Sequence, residues 1–410
     1  MTLVYIFNIA DRYVISTLIE PIKADLKLSD TAMGFLTGTA LALFYTGIGI
    51  PLGLIADRVN RRNLIALSIA VWSVMTAACG TARTFTQLLL ARIGVGIGEG
   101  GGTPGSQSII ADLFPFKQRA LAASLFALGA AAGSMLGSIA GGAISDMFGW
   151  RWAFVALGIP GSAIALLLRL TVEEPRRGSF DRVNDSADKP SLLETLQFIR
   201  RQRALMHALA GSTLVVFWGW GLLWWTPAFL TRSYGMSTGS AGGVVGAISG
   251  IAGALGILSG SIFIQAASKR DPRWQPWVVA VATCVGTVAS VTAYASYSRS
   301  TTLLMLWLFV PAAYLNIGPQ FALTQSLVLP RMRALSCAVL LFLTNIANLA
   351  LAPQLVGIAS DFINDHWAVG RESLRYALLG ITVTGFWAAY HWWAAGRYLS
   401  EGLRRAGTIL

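Results

Sequence analysis

The sequence predicts an all-α polytopic membrane protein, with twelve transmembrane helices in two six-helix pseudo-symmetric bundles, and three observations predict it. The 410 residues are 55% hydrophobic and 12% charged, with a mean hydropathy of +0.61. Soluble domains carry about a quarter charged residues, so this composition cannot build a water-exposed surface. The apolar residues fall into runs near the length of about 20 residues that a spanning helix needs. One short motif recurs half a chain apart in two of those runs. An ordinary soluble enzyme, a disordered chain and a disulfide scaffold are excluded together.

The runs, numbered here as spans 1 to 12, are 2–20, 31–56, 63–82, 85–112, 118–144, 152–171, 205–230, 239–267, 275–296, 302–329, 334–362 and 372–397. The longest hydrophilic stretch, 172–203, contains EEPRRGSFDRVNDSADKP and reads as a cytoplasmic linker. The expected domains are therefore an N-terminal bundle over 1–171, the linker, a C-terminal bundle over 204–400 and a cytoplasmic tail over 401–410. The first residue already stands beside span 1 with no basic segment or small-residue cleavage site, so a secretory signal peptide is not expected.

The net charge of +12 would point to nucleic acid in a soluble chain. Here the basic residues lie between apolar runs, and membrane orientation accounts for them without a nucleic-acid partner. The linker, the tail and the loops after the even-numbered spans hold 21 of the basic residues; the opposite loops hold 8. The excess of positive charge places both termini in the cytoplasm of a cell-membrane protein. Cys79, Cys284 and Cys337 sit inside apolar runs without CxxC spacing, so neither a metal site nor a disulfide framework is expected.

The recurring motif brackets spans 5 and 11. Arg119-Ala-Leu opens span 5 and Gly142-Ala-Ile-Ser-Asp146 closes it; Arg333-Ala-Leu, 214 residues later, opens span 11 and Gly357-Ile-Ala-Ser-Asp361 closes it. A parallel duplication of six helices predicts such a repeat.

Span 1 carries Asp11-Arg12 at mid-span, and span 4 carries Arg92 and Glu99 among glycines, in Arg92-Ile-Gly-Val-Gly-Ile-Gly-Glu99-Gly-Gly-Gly. An intramembrane ion costs at least about 2.5 to 3.5 kcal/mol, so four of them imply a paired or watered interior cluster. Arg92 and Glu99 stand about 10 Å apart along one helix face, too far to pair with each other. The expected pairs are Asp11 with Arg92 and Arg12 with Glu99, and carboxylates beside a cavity suit proton handling. The glycine-rich segment is a poor phosphate loop, since no strand precedes it.

The loop after span 2 reads Gly53-Leu-Ile-Ala-Asp57-Arg58-Val-Asn-Arg61-Arg62. Its glycine allows close helix approach, and its aspartate and arginines suit a charge network that breaks and reforms; with Asp112 these residues are the expected gate. Span 5 has a glycine at every fourth position, Gly129, Gly133, Gly137 and Gly141, which bares one helix face for a tight neighbour.

Spans 7 to 12 hold no mid-span charge. They offer Trp218, Trp220, Trp224 and Trp225 in span 7, Asn316, Gln320, Thr324 and Gln325 in span 10, and Asn345 and Asn348 in span 11. Tyr13, Trp224, Asn316, Gln320, Thr324 and Asn345 are the expected substrate wall, half polar and half aromatic. The division sets proton handling in the first half against substrate holding in the second. His207 and His391 lie near span ends and His366 in a loop, with no site expected at them. No Ser/His/Asp arrangement or HExxH appears, so neither catalysis, a cofactor nor a metal is expected.

Together, Asn8-Ile-Ala-Asp11-Arg12-Tyr13, Gly53 to Arg62, Arg92 to Gly100, Ile110-Ala-Asp112-Leu-Phe with Gln118-Arg119, Glu174-Pro-Arg-Arg-Gly178, and Arg331-Met-Arg333-Ala-Leu with Thr344-Asn345 resemble the Spinster family of the major facilitator superfamily, over essentially the whole chain. The second-half counterpart of loop 2, Gly260 to Arg273, lacks the Gly-xxx-Asp-Arg core. With its short termini the chain resembles a bacterial homologue. The resemblance implies the major facilitator fold and transport of sphingosine-type or lysophospholipid substrates, proton-linked or facilitated. The expected function is secondary active transport of an amphipathic small molecule by a monomer among membrane lipids. An organic-anion or sugar-acid proton symporter, with Arg12 and Arg92 binding the anion, is the alternative, and a non-transporting scaffold the third reading.

Overall fold

The structure, a computed structural model, describes residues 1–45, 47, 59–175 and 190–407. Among the described residues helix is the regular structure, with no strand, and a helix occupies at least part of each of the twelve apolar runs. Eight of the described helices are long and apolar enough to cross a membrane, and nine if the bent pair Thr2–Thr17 and Ile19–Leu26 forms one span. The other runs are interrupted or only partly described. Span 2 is described to residue 45 and at residue 47. Span 4 divides into Phe85–Glu99 and Gly102–Leu113, and span 12 into Ser373–Thr382 and Thr384–Arg397. The break in span 4 falls at Gly100-Gly101, where the backbone is least held to a helix. A π-helical turn widens span 2 at Phe35–Thr39, span 8 at Ile248–Ala252 and span 11 at Ile346–Leu351.

The contacts gather into two compact units. One takes Met1–Asn184, Trp224–Gly250 and Pro353–Asp365; the other takes Asp185–Leu223, Ile251–Ala352 and His366–Leu410. Spans 7, 8 and 11 each pass from one unit into the other.

In the first unit the glycine face of span 5 (Phe116–Phe148) lies on span 1. A methyl group at Gly129, Gly133, Gly137 or Gly141 would strike Thr2, Ile6, Ala10 or Val14 respectively, a four-residue step on both helices. Such contact at bare backbone is what small residues permit between membrane helices. It fixes the register of span 1 and so the places of Asp11 and Arg12. Gly98 of span 4 abuts the backbone of Trp72 in span 3 (Arg61–Cys79), and Gly158 of span 6 (Trp150–Thr171) abuts Ala77 and Ser73.

The second unit is held by the same device. Gly256 of span 8 meets Pro311 of span 10, and Gly385 and Gly396 of span 12 meet Trp218 and Trp277. The linker contains a helix, Leu192–Arg201, started by Ser191, whose side chain accepts the backbone N–H of Glu194. It buries Thr195 and Ile199, exposes Leu192, Leu193 and Leu196, and is tied down by an Arg331–Glu194 pair at 2.8 Å.

Candidate functional site

Four ionisable side chains from spans 1 and 4 come together inside the first unit. Arg12 Nε and Nη2 donate to Glu99 Oε2 at 2.9 and 2.6 Å, as the expected pairing had it. The guanidinium also lies 4.9 Å from the ring centre of Tyr45. Asp11 departs from expectation: its Oδ2 accepts the hydroxyl of Thr76, in span 3, at 2.8 Å, and no ion pair joins it to Arg92 among the described residues. Helix register explains the change. With span 1 seated on span 5, Asp11 faces span 3 while Arg12, 100° further round, faces span 4.

Arg92 is fully buried, and none of its three nitrogens has a hydrogen-bond partner among the described residues. Neither side-chain polar atom of Asn8 has one, nor has Oε1 of Glu99. Buried polar groups are nearly always satisfied, and unmet ones concentrate where function needs a ligand, an ion or a proton. One guanidinium with its whole donor set unmet, two helical turns from a carboxylate with a free oxygen, makes a centre able to take up an anion and exchange a proton.

Of the expected gate, Gly53, Asp57 and Arg58 lie outside the described residues. Arg61 is 3% exposed and binds four partners: the Asp112 carboxylate, Glu174 Oε1 at 2.9 Å, Ser108 Oγ at 2.9 Å and the Pro175 carbonyl at 3.0 Å. Arg62 adds its backbone N–H to Glu174 Oε2 at 2.7 Å and a guanidinium contact to the Val172 carbonyl. Burial would push the Glu174 carboxyl up, but the Arg62 backbone N–H and the Arg61 side chain outweigh it and hold the group below its ordinary value. Span 3, the second half of span 4 and the segment after span 6 are thus tied in one knot.

At the opposite end of the first unit stands a second cluster, which the sequence did not single out. Asp30, in the loop between spans 1 and 2, is 1% exposed and accepts from Lys23 Nζ, from Arg232 Nη1 and Nη2, and from Ser360 Oγ. Arg232 donates also to Glu20 at 2.7 Å. Burial would push the Asp30 carboxyl up, but the hydrogen bonds and charge of Arg232, then those of Lys23, hold it at about 2.

Beside that cluster the repeated motif acquires a structural meaning. Asp361, closing span 11, accepts the backbone N–H groups of Asp30 and Thr31 at 3.0 and 2.7 Å, at the first turn of span 2, and Gly357 abuts the Asp30 carbonyl. Asp146, closing span 5, accepts the N–H of Gly239 at 2.9 Å, at the first turn of span 8, and Gly142 abuts the Thr238 carbonyl. Each carboxylate answers unmet N–H groups and the positive end of a helix. Span 5 caps span 8 as span 11 caps span 2, which is the correspondence a parallel duplication requires.

The expected substrate wall is split between the units. Tyr13 and Trp224 are buried in the first, their ring centres 5.1 Å apart, with Ser16 Oγ donating to the Trp224 carbonyl. Asn316, Gln320 and Thr324 are buried in the second, in a self-contained stripe. Asn316 Nδ2 donates to Gln320 Oε1 at 3.2 Å, and Thr324 Oγ1 to the Gln320 carbonyl; the Asn316 carbonyl oxygen has no partner. Asn345 is half-buried where the π turn of span 11 begins. Trp218 and Trp225 are core residues whose N–H groups are met, by Ser290 Oγ and the Pro353 carbonyl.

The family model described as Major Facilitator Superfamily matches residues 1–353. This chain belongs to the major facilitator superfamily. It is a multi-pass membrane transporter, related to Spinster proteins in sequence and in fold. It is 32% identical to an "MFS-type efflux pump" of Mycolicibacterium smegmatis, covering 99% of this chain and 94% of the relative. Human "Protein spinster homolog 1" is 28% identical over 88% of this chain and 72% of its own. The zebrafish (Danio rerio) "Sphingosine-1-phosphate transporter SPNS2" is 26% identical over 91% and 78%. Among solved structures, a bacterial homologue of the human lysosomal transporter Spinster, in an inward-facing and unoccupied conformation, superposes with a TM-score of 0.87 at 29% identity, covering 98% of this chain and 96% of that one.

Proposed function

We propose that this transporter moves an amphipathic small molecule of lysolipid or sphingoid type by alternating access, coupled to protons through Asp11, Glu99, Arg12 and Arg92. One observation carries the reading: the buried cluster of spans 1 and 4 keeps bonding capacity in reserve. Protonating Asp11 breaks no ion pair, because its partner Thr76 is a neutral hydroxyl. Protonating Glu99 would break its double contact with Arg12. A proton on Asp11 also removes a negative charge from the surroundings of Arg92, whose donors are unmet. Proton uptake at Asp11 and anion uptake at Arg92 therefore favour each other.

That logic favours an amphipath with an anionic head, such as a lysophospholipid, over a sphingoid amine, since a guanidinium presents donors only. The name of one relative, the zebrafish sphingosine-1-phosphate transporter, supports a lipid substrate. The same unmet guanidinium supports a second reading, symport of an organic anion or sugar acid whose carboxylate sits on Arg92. A scaffold without flux leaves four buried ions without a purpose.

In the cycle, the Asp361 and Asp146 caps are the contacts that open and reform as residues 1–171 rock against 204–400, while the Arg61–Asp112–Glu174 knot braces the end of the N-terminal half. Both termini and the linker face the cytoplasm, the membrane is the cell membrane, and a monomer suffices. The test is proton flux in proteoliposomes loaded with a pH dye, challenged with lysophospholipids, sphingoid bases and sugar acids. Proton movement evoked by lysophospholipids supports the reading, a response confined to sugar acids replaces it with the second, and a pH signal from none of the three removes the coupling.

A further inference from the structure

Histidines 207 and 391, set aside at the level of sequence, meet at one end of the second unit. His207 lies four residues inside the start of span 7 (Arg203–Tyr234), and His391 six residues before the end of the helix Thr384–Arg397 of span 12. Their Nδ1 atoms stand 3.0 Å apart. At that distance the two rings share one proton, one donating and the other accepting, so the accepting ring carries its N–H on Nε2. Neither Nε2 has a protein partner among the described residues.

A continuous run of ring contacts surrounds the pair. Tyr398 stacks on His207 at 5.8 Å, Trp387 lies 5.9 Å from His391, and Tyr390 meets both histidines. Arg203 covers the Tyr398 ring and Arg397 the Trp393 ring. Trp387, Tyr390 and Trp393 are 58%, 54% and 46% exposed, so the strip faces outward from the helices.

The charge there is one-sided. Neither Arg203 nor Arg397 is paired with a carboxylate among the described residues. The acids at this end are engaged elsewhere: Glu401 with Arg405 at 2.6 Å, and Asp271 with the backbone N–H of Arg273. From span 9, Trp277 presents its N–H to the Trp393 carbonyl, and Arg273 reaches Ser400. No negative charge faces the histidines from spans 7, 9 or 12. By helical rise His207 and His391 lie about 6 and 9 Å along their helices from Arg203 and Arg397, at the depth of lipid phosphate and glycerol, and both guanidiniums turn back toward them, Arg203 onto Tyr398 and Arg397 onto Trp393.

We propose that spans 7 and 12 hold an anionic phospholipid of the adjoining leaflet, its headgroup phosphate on Arg203, Arg397 and the His207–His391 pair and its acyl chains against Trp387, Tyr390 and Trp393. Arginines or aromatic rings alone occur along any membrane interface; the shared-proton imidazole pair under two unpaired guanidiniums makes this place a site. A second proton on the pair adds positive charge, so acid tightens binding. The site is independent of the transported substrate.

Native mass spectrometry of the full chain, released from micelles doped equally with phosphatidylglycerol and phosphatidylcholine of matched acyl chains, tests it. The expected result is preferential retention of phosphatidylglycerol, falling about tenfold in His207→Phe/His391→Phe and in Arg203→Gln/Arg397→Gln. Arg83→Gln, at the opposite end of the spans, keeps the wild-type preference. Equal retention of the two lipids by the unmodified chain, or undiminished preference in the histidine double variant, overturns the proposal. Should that double variant fold poorly, His207→Gln/His391→Gln keeps two amide donors yet cannot be protonated. Its retention of phosphatidylglycerol is expected not to strengthen between pH 8 and pH 5.5, as the wild type's does; strengthening equal to the wild type's overturns the proposal as well.

Discussion

Two of the buried ionic clusters of the first unit are built on opposite terms. Around Asp30, every oxygen is used: Lys23, Arg232 and Ser360 converge on its carboxylate while Asp361 takes its backbone N–H. Around Arg92, the donors go unused, Glu99 keeps one oxygen free and Asp11 leans on a neutral threonine. A saturated cluster is a clamp, because any change in it breaks several charge-assisted bonds at once. An unsaturated one can change its protonation or gain a ligand and lose little. On the proposed reading the difference gives the outer cluster to closure and the inner one to coupling, although both are built on arginines and carboxylates.

The contrast breaks most visibly in stability. Arg232→Met takes two charge-assisted bonds from Asp30, which keeps Lys23 and Ser360, and one from Glu20, and is expected to cost about 1.5 to 3 kcal/mol, read from denaturant or thermal unfolding in detergent. Arg92→Met removes no hydrogen bond, and its loss should stay below about 1 kcal/mol while transport is abolished. Equal destabilisation by the two would erase the distinction between the clusters.

The two caps give the next largest difference. Asp361 takes two backbone N–H groups beside the Asp30 cluster, whereas Asp146 takes one at an exposed turn. Asp361→Ala should cost about 1 to 2 kcal/mol and Asp146→Ala about half that. Both should speed labelling of a cysteine placed at Thr31 or Ser240 by a membrane-impermeant maleimide, Asp361→Ala more than Asp146→Ala. Unaltered labelling in both variants would mean that the caps are not part of the gate.

The smallest effect is one of pH. With its carboxyl held at about 2 against an ordinary 3.8, Asp30 is a depressed acid. Its contribution is complete above the ordinary value and is lost as pH falls from about 4 through 2. The clamp is therefore indifferent to pH between 5 and 8, and maleimide labelling at Thr31 without substrate should be flat across that range. Any pH dependence of transport there comes from groups outside this clamp.

Much of this was legible in the sequence. Apolar run length located the helices, and the four-residue glycine spacing of span 5 announced a close neighbour, found to be span 1. Charge at mid-span marked Asp11, Arg12, Arg92 and Glu99, because membrane insertion penalises an ion wherever it sits. The partner of Asp11 was not legible, since pairing depends on helix rotation and nothing in the sequence weighs Thr76 above Arg92. The outer clamp went unseen because Lys23, Asp30 and Arg232 lie at span ends, where charge is ordinary. The motif closing spans 5 and 11 was visible as a repeat but not as a pair of caps, since the helices it caps lie far away in the chain. The π turns leave no composition signal, and the linker helix hid in a segment read only for its polarity, despite Ser191 and Glu194 in capping positions.

The central claim is that the unsaturated cluster couples a proton to substrate movement through Asp11. The most direct measurement is substrate-evoked proton flux in proteoliposomes for the wild type, Asp11→Asn and Thr76→Val, with folding checked by melting temperature. The account predicts proton movement in the wild type, altered pH dependence in Thr76→Val, and none in Asp11→Asn while that protein still binds substrate. Proton flux of equal size in the wild type and Asp11→Asn would contradict it.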